Sequence, residues 1–347
     1  MHETMTARQT DDDEVARVLA DLKQGAPRAL SRAISWVENG DRRAAALLER
    51  VYAEAPHPWV IGITGVGGGG KSSLMPHLAT HLTGSGRRVA VLAVDPSSPL
   101  SGGALLGDRI RDLNEDRDKV FFRSVASRGG QGGLATCVAD LVRVFAAAGC
   151  DTVLIETVGA GQSEVAVLDV AHSVVLVTAP GLGDEVQALK AGVMEIADLV
   201  VVNKADRPGA DETVQTLRHV IALAAHDPHV AEGLSQRADG GAHWHVPVLT
   251  TIALTGAGVD TLAAALSDHR QALLAMDRYV QMNKAHDLRR MRQYFAQLIA
   301  ERAEAAAESS GIWSRIEHEL ARDARDPLSA ARNAAAEIWS GAGRERS

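Results

Sequence analysis

Two hydrophobic rhythms alternate through the middle of this chain. Between Pro56 and Met276, short apolar runs rich in β-branched residues are separated by stretches whose apolar positions return every three or four residues. The runs at 59–64, 88–94, 119–123, 152–156, 173–179, 199–203 and 246–252 predict strands, and the alternation with helices predicts an α/β fold with a doubly wound, mainly parallel sheet. Ahead of it the pattern is helical. Val15, Val18, Leu19 and Leu22 share one face, Leu30, Ile34 and Val37 another, and Ala45 to Val51 a third. Beyond Met276 it is helical again, with a stripe of Leu288, Met291, Phe295, Leu298 and Ile299, then Trp313, Ile316 and Leu320, and a last helix opened by Asp326-Pro327. The expected organisation is a helical N-terminal extension (1–55), a central α/β domain (56–275) and a helical C-terminal segment (276–347).

The strand predicted at 59–64 runs into Gly65-Val66-Gly67-Gly68-Gly69-Gly70-Lys71-Ser72-Ser73, and a helix is predicted from Ser72 to about Leu82. This is the Gly-x-x-x-x-Gly-Lys-Ser spacing of a phosphate loop in its required strand–loop–helix setting. Glycines let successive N–H groups curl around a phosphate, and the helix N-terminus adds positive potential. Lys71 is expected on the β- and γ-phosphates, and Ser72 on Mg²⁺. The plainer alternative, a flexible turn that happens to end in Lys-Ser, does not explain why strand and helix flank it.

A second motif names the base. The strand 199–203 ends in Asn203-Lys204-Ala205-Asp206. A carboxylate at Asp206 can accept both the N1–H and the exocyclic N2–H of guanine, whereas adenine offers the opposite pattern and would leave the charge unpaired. GTP and GDP are therefore the expected ligands. Alone, the tetrapeptide also suits a turn that closes a strand.

Composition narrows the class. The chain has 347 residues, 46% hydrophobic and 23% charged but only 3% aromatic, which fits a large aliphatic α/β core. A net charge of −8 argues against nucleic acid as a partner. No apolar run approaches the roughly 20 residues that cross a bilayer, and the start of the chain lacks the basic and apolar regions of a signal peptide, so a cytoplasmic protein with no membrane partner is expected. Cys137 and Cys150 show no metal or disulfide spacing and read as buried, reduced thiols.

Candidate metal ligands lie between the two nucleotide motifs. The strand 88–94 ends in Asp95, a Gly-rich stretch carries Asp108, and Glu156 ends the strand 152–156, with Gly159 placed to feel a γ-phosphate. Mg²⁺ takes a few oxygen ligands besides waters and phosphates, which Ser72 with Asp95 or Asp108 could supply. Asp95 and Glu156 could instead be capping residues, and Asp108 a loop turn. Lys71, Asp108 and Glu156 are the catalytic candidates.

Together with the phosphate loop, Val94-Asp95-Pro96-Ser97-Ser98-Pro99, residues 101–111 ending in Gly107-Asp108-Arg109-Ile110-Arg111, Arg123 to Gly129, Glu156-Thr157-Val158-Gly159 and Asn203-Lys204-Ala205-Asp206, the chain resembles the MeaB/ArgK family over about residues 30–275. These are P-loop GTPases associated with methylmalonyl-CoA mutase. The resemblance extends to Pro180 through Lys190, the segment that in this family couples GTPase and mutase. It implies that Ser72, Asp95, Asp108 and Glu156 surround Mg²⁺, that Thr251-Ile252-Ala253 form the loop beneath the base, and that Asp184, Gln187 and Lys190 belong to the coupling segment. It further implies a homodimer and a cobalamin-dependent acyl-CoA mutase as partner, whose cofactor loading and protection the GTPase gates as a chaperone. The chain departs from the family pattern at Gly67, where proline is usual, and at Ile252, where serine is usual. No glutamine stands where Ras-like proteins use one, so slow basal hydrolysis is expected, with arginines between 109 and 128 entering the site after a partner moves the loops. The alternatives are a nickel- or cobalt-insertion GTPase, for which His243-Trp244-His245 is the nearest metal candidate, a transport-linked kinase, and a scaffold that needs nucleotide only to fold.

Overall fold

The computed structural model describes residues 2–95, 120–126, 133–157, 169–182, 197–224, 244–321 and 326–342. Seven strands form one sheet: β1 (Trp59–Gly65), β2 (Val89–Asp95), β3 (Val120–Ala126), β4 (Thr152–Thr157), β5 (Ser173–Thr178), β6 (Leu199–Val202) and β7 (Val248–Thr250). Their order is β3-β2-β4-β1-β5-β6-β7 and each pairing is parallel. The expected doubly wound sheet is therefore the fold. All strand C-termini share one edge, and the chain crosses from one flank to the other at β1, where such sheets open a crevice for ligands.

β1, β4, β5 and β6 are buried at every position, which requires cover on both faces. On one face Ile61, Ile63, Leu154, Val175, Val177 and Val201 pack against Leu74 and Leu78 of α4 (Lys71–Gly84) and Leu262 and Leu266 of α7 (Val259–Ala275). On the other, Leu176, Val200 and Val202 meet Val214 and Leu217 of α6 (Ala210–Ala224). Each of these fully buried leucines contributes about 2–3 kcal/mol of transfer free energy.

The N-terminal extension is α1 (His2–Lys23), α2 (Pro27–Asn39) and α3 (Arg42–Glu54). Val15, Val18, Leu19, Leu22, Leu30 and Ile34 are buried as expected, whereas α3 turns Ala44, Leu47, Leu48 and Val51 inward and leaves Ala45 exposed. Arg143 of α5 (Gly133–Ala147) fastens this unit to the sheet domain: its guanidinium donates to the main-chain oxygens of Tyr52, Ala55 and Pro56 at 3.1, 2.9 and 3.2 Å. Tyr52 O is one of the last-turn carbonyls that the end of α3 leaves without a helical partner, and Ala55 and Pro56 directly follow the helix. Arg123 on β3 makes a two-pronged pair with Glu38 of α2, which removes it from the arginines expected to enter the nucleotide site. Cys150 is buried, and burial pushes its thiol up to about 12. Cys137 is only half-buried, because it lies at the opening of α5, ahead of the buried Val138, Leu141 and Phe145.

The C-terminal region comprises α8 (Arg278–Ser309), α9 (Ile312–Leu320) and α10 (Pro327–Ala342), with Asp326 Oδ1 accepting the Ser329 N–H at 2.9 Å as a cap. The chain divides into two compact units, Met1–His286 and Asp287–Ser347. The second has its own small core of Ala307, Ile312, Ile316, Ala330 and Ala334, while Leu288, Met291, Phe295 and Leu298 stand exposed. Among the described residues, no helix is long and apolar enough to cross a membrane.

At the edge of the sheet where strands begin, His172 joins β1 to α8. Its Nδ1 accepts the Val60 N–H at 3.0 Å, so Nε2 carries the proton and donates to Asn283 Oδ1 at 2.9 Å. The Tyr279 ring stacks on it with centroids 4.3 Å apart. Burial pushes the imidazole down from 6.5 to about 4, against the opposing effect of the Asn283 bond. Between those pH values the unfolded chain binds the extra proton, so the stability contributed by neutral His172 is intact above about pH 7 and is lost as the pH falls toward 4. Glutamine does not titrate. In chemical denaturation, the stability gap between wild type and His172→Gln should narrow by about 2–3 kcal/mol between pH 7 and pH 4; a constant gap would refute the neutral ring.

Candidate nucleotide site

The central strand β1 delivers the glycine loop. Gly65 has φ 131°, and a Cβ there would sit 2.0 Å from the Val177 oxygen of β5, so only glycine lets the two strands approach where the loop departs. At the other end of the loop, Gly70 has φ 93° and abuts the side chain of Asn203, where a Cβ would lie 2.2 Å from Nδ2. The helix α4 starts directly afterwards, so Lys71 and Ser72 are its first two residues.

The loop is held by donors from inside and outside. Lys71 is 6% exposed, and its ammonium donates to Gly65 O at 2.6 Å and Val66 O at 3.0 Å. Asn203 Nδ2 donates to Gly69 O at 2.9 Å, and Lys204 Nζ to Gly68 O at 2.6 Å. Asn203 also works in the opposite direction: its Oδ1 accepts the Ala253 N–H at 2.9 Å and the Thr251 hydroxyl at 3.1 Å. The three segments expected to meet around a nucleotide therefore do meet. Lys204 has φ 57°, a conformation uncommon outside glycine, and it turns the chain so that Ala205 N–H reaches Thr251 O while Asp206 stands exposed at the mouth.

Glu156 is brought to the loop. It is 1% exposed, and Ser72 donates its hydroxyl to Glu156 Oε1 at 2.6 Å. Register explains the encounter, since Glu156 lies opposite Ile63 on β1 and Ala93 on β2. Asp95 ends β2 two residues beyond Ala93, on the same edge. Asp108, Gly159, Asp184, Gln187, Lys190 and His243 lie outside the described residues. Among the described residues, no cluster of three or more His, Cys, Asp or Glu side chains is arranged to hold a metal ion.

What the sequence did not reveal is the double duty of Asn203, which reads as a base-recognition residue and acts here as a strut between the phosphate loop and the Thr251–Ala253 loop. Ile252 stands half-buried and closes that loop by pairing with Ala257.

The glycines of the loop differ in what they tolerate. A Cβ on Gly67 meets nothing within 4 Å, in contrast to Gly65. Gly67→Ala should leave thermal stability and GDP affinity within about twofold of wild type, whereas Gly65→Ala should cost several kcal/mol or abolish folding. Equal behaviour of the two variants in parallel melting and titration experiments would refute this geometry.

The chain is similar to known proteins over most of its length. The model of the family described as methylmalonyl Co-A mutase-associated GTPase MeaB matches residues 30–308. The chain is 35% identical to the GTPase ArgK of Escherichia coli over 285 residues, which cover 80% of this chain and 83% of that protein. It is 39% identical over 207 residues to the mouse protein named methylmalonic aciduria type A homolog, mitochondrial, covering 55% of this chain and 50% of the other. The crystal structure of an LAO/AO transport system kinase superposes with a TM-score of 0.62 at 26% identity and covers 94% of this chain and 97% of its own. With its phosphate loop, its Asn203 strut and a family match over most of its length, this chain belongs to the MeaB family of GTPases.

Proposed function

We propose that this chain is a Mg²⁺-dependent, GTP-hydrolysing chaperone of a cobalamin-dependent acyl-CoA mutase. The observation that carries the reading is the meeting of Lys71, Ser72 and Glu156 at the glycine loop of a chain whose family is named for association with methylmalonyl-CoA mutase. The mouse relative, whose name refers to methylmalonic aciduria, supports the same client class.

The chemistry of the donors fits the ion. A hydroxyl and a buried carboxylate in contact form a hard oxygen pair of the kind Mg²⁺ prefers, and Asp95 and Asp108 are the further candidates. When bound, Mg²⁺ would neutralise charge on the β- and γ-phosphate oxygens. Loop N–H groups and the α4 N-terminus bind the phosphates, and Lys71 exchanges its two carbonyl partners for a γ-phosphate oxygen. Asp206 accepts two N–H groups of guanine, and Asn203 keeps the base and phosphate loops at a fixed separation. A water attacks the γ-phosphate in line. With Arg123 held by Glu38, added positive charge would come from the other arginines between 109 and 128 or from the partner, so basal turnover is slow. Coupling to the mutase is assigned to the segment containing Asp184, Gln187 and Lys190.

Steady-state GTPase assays with and without a methylmalonyl-CoA mutase test this directly. Wild type should turn over GTP slowly and be stimulated at least severalfold, and Lys71→Ala should lose about 10²-fold or more in both conditions. Stimulation by a nickel or cobalt acceptor protein instead, or radiolabel transfer to a protein, would replace the mutase reading with metallocentre insertion or kinase activity.

The homodimer implied by the family has support in the exposed stripe of Leu288, Met291, Phe295 and Leu298, which follows helical spacing on α8. Wild type should sediment as a dimer and Phe295→Glu should shift it toward monomer by tenfold or more in dissociation constant, about 1.4 kcal/mol. A monomeric wild type would refute the dimer.

A further inference from the structure

The sheet edge away from the glycine loop carries two adjoining groups of buried polar side chains, which together form a network. The Trp59 indole N–H donates to Ser173 Oγ at 3.1 Å, and that oxygen lies 2.9 Å from His269 Nδ1. His269 Nε2 lies 3.6 Å from Asp198 Oδ1, whose other oxygen accepts the Val174 N–H at 2.8 Å. Trp244 donates to the Asp198 main-chain oxygen at 2.8 Å and rests against the His269 ring. His172, with its bonds to Val60 and Asn283, completes the set. Ser173, His269 and Asp198 follow the contact order of a nucleophile relay, but Ser173 is 0% exposed and His269 3%, so no substrate reaches the hydroxyl. The cluster is a tie between elements.

What it ties is specific. It joins the starts of β1, β5, β6 and β7 to α7 and to the first turns of α8. The opposite ends of those same four strands carry the nucleotide loops: β1 opens the glycine loop, β5 meets it at Val177 and accepts the Asn203 N–H on Thr178 O, β6 leads into Asn203, and β7 leads into Thr251. The strands are only three to seven residues long, roughly 10–23 Å, and their interiors are close-packed. Tyr279 and Asn283 stand on a helix that is continuous to Ser309.

We infer that this network is a joint coupling the position of the first two turns of α8 to the order of the nucleotide loops. The inference rests on the nucleotide reading of the glycine-loop edge. Coupling of binding to conformation is reciprocal: bound nucleotide must alter the stability of the joint, and a loosened joint must alter nucleotide affinity. A purely structural tie would lower the melting temperature alone.

The test uses the full chain and GDP. First, wild type is titrated with GDP, and hydrogen exchange at residues 279–286 is compared with and without it at one pH. Protection should change by about threefold or more. Second, Asn283→Leu removes the acceptor for His172 Nε2–H, and Asn283→Asp keeps one. Asn283→Leu should weaken GDP by about threefold or more and Asn283→Asp should stay within about twofold. If wild type binds GDP yet exchange at 279–286 is unaltered, or if folded Asn283→Leu binds GDP as wild type does, the joint is refuted. Failure of wild type to bind GDP would instead overturn the nucleotide reading beneath it. Should Asn283→Leu not fold, the wild-type exchange measurement decides alone.

Discussion

One primary amide sets the geometry of the nucleotide edge. Asn203 leaves β6 with its N–H on Thr178 O, spends its Nδ2 on the glycine loop and its Oδ1 on Thr251 and Ala253. It is 1% exposed, so each of these bonds is made away from water, where loss of a partner costs the full desolvation of the group left behind. An aspartate could accept from Thr251 and Ala253 but could not donate to Gly69, and its charge would be buried. A leucine could do neither. The need for a donor and an acceptor on one short side chain is met by asparagine alone at this length.

The all-parallel sheet divides labour between its edges. Parallel strands put every C-terminus on one side, so segments far apart in sequence, 65–72, 156 and 203–206, converge there. The opposite edge inherits every strand start, and there the buried polar groups pair with one another and with α7 and α8. Between the edges, β1, β4, β5 and β6 are buried at every position and mostly apolar. Function at one edge and fastening at the other are thus two consequences of the same strand polarity.

How much of this was legible in the sequence follows from how local each signal is. Seven apolar runs marked seven strands because β-branched residues buried on both faces leave a continuous pattern, and the glycine loop announced itself by a spacing that few other structures need. The limits of β7 were less legible: the run 246–252 reads as strand, but only Val248–Thr250 pair, because Thr251 and Ile252 turn into the base loop. The His172 and His269 network left no trace. Its members come from six separate segments, and none has a spacing that signals a partner, since a histidine before a strand reads equally well as a solvated loop residue. The fate of Arg123 was equally hidden, because nothing in the local sequence of β3 points to Glu38, 85 residues earlier.

The position of Lys71 bears on how such a site can wait for its ligand. A buried ammonium must have acceptors, and here the loop supplies them from its own backbone at Gly65 and Val66. These are neutral carbonyls. On the proposed reading, a phosphate oxygen arriving in the loop would offer a full negative charge in their place, and beside a buried ammonium that exchange would favour the bound state. The loop itself need not be rebuilt for it, because Gly65 is locked against Val177, Gly68 is held by Lys204 and Gly69 by Asn203, none of which has to let go. On that reading only the Lys71 side chain would swing. The ordering entropy of the cradle is thereby met during folding and not at the moment of binding, which is what preorganisation means for a loop built from four consecutive glycines.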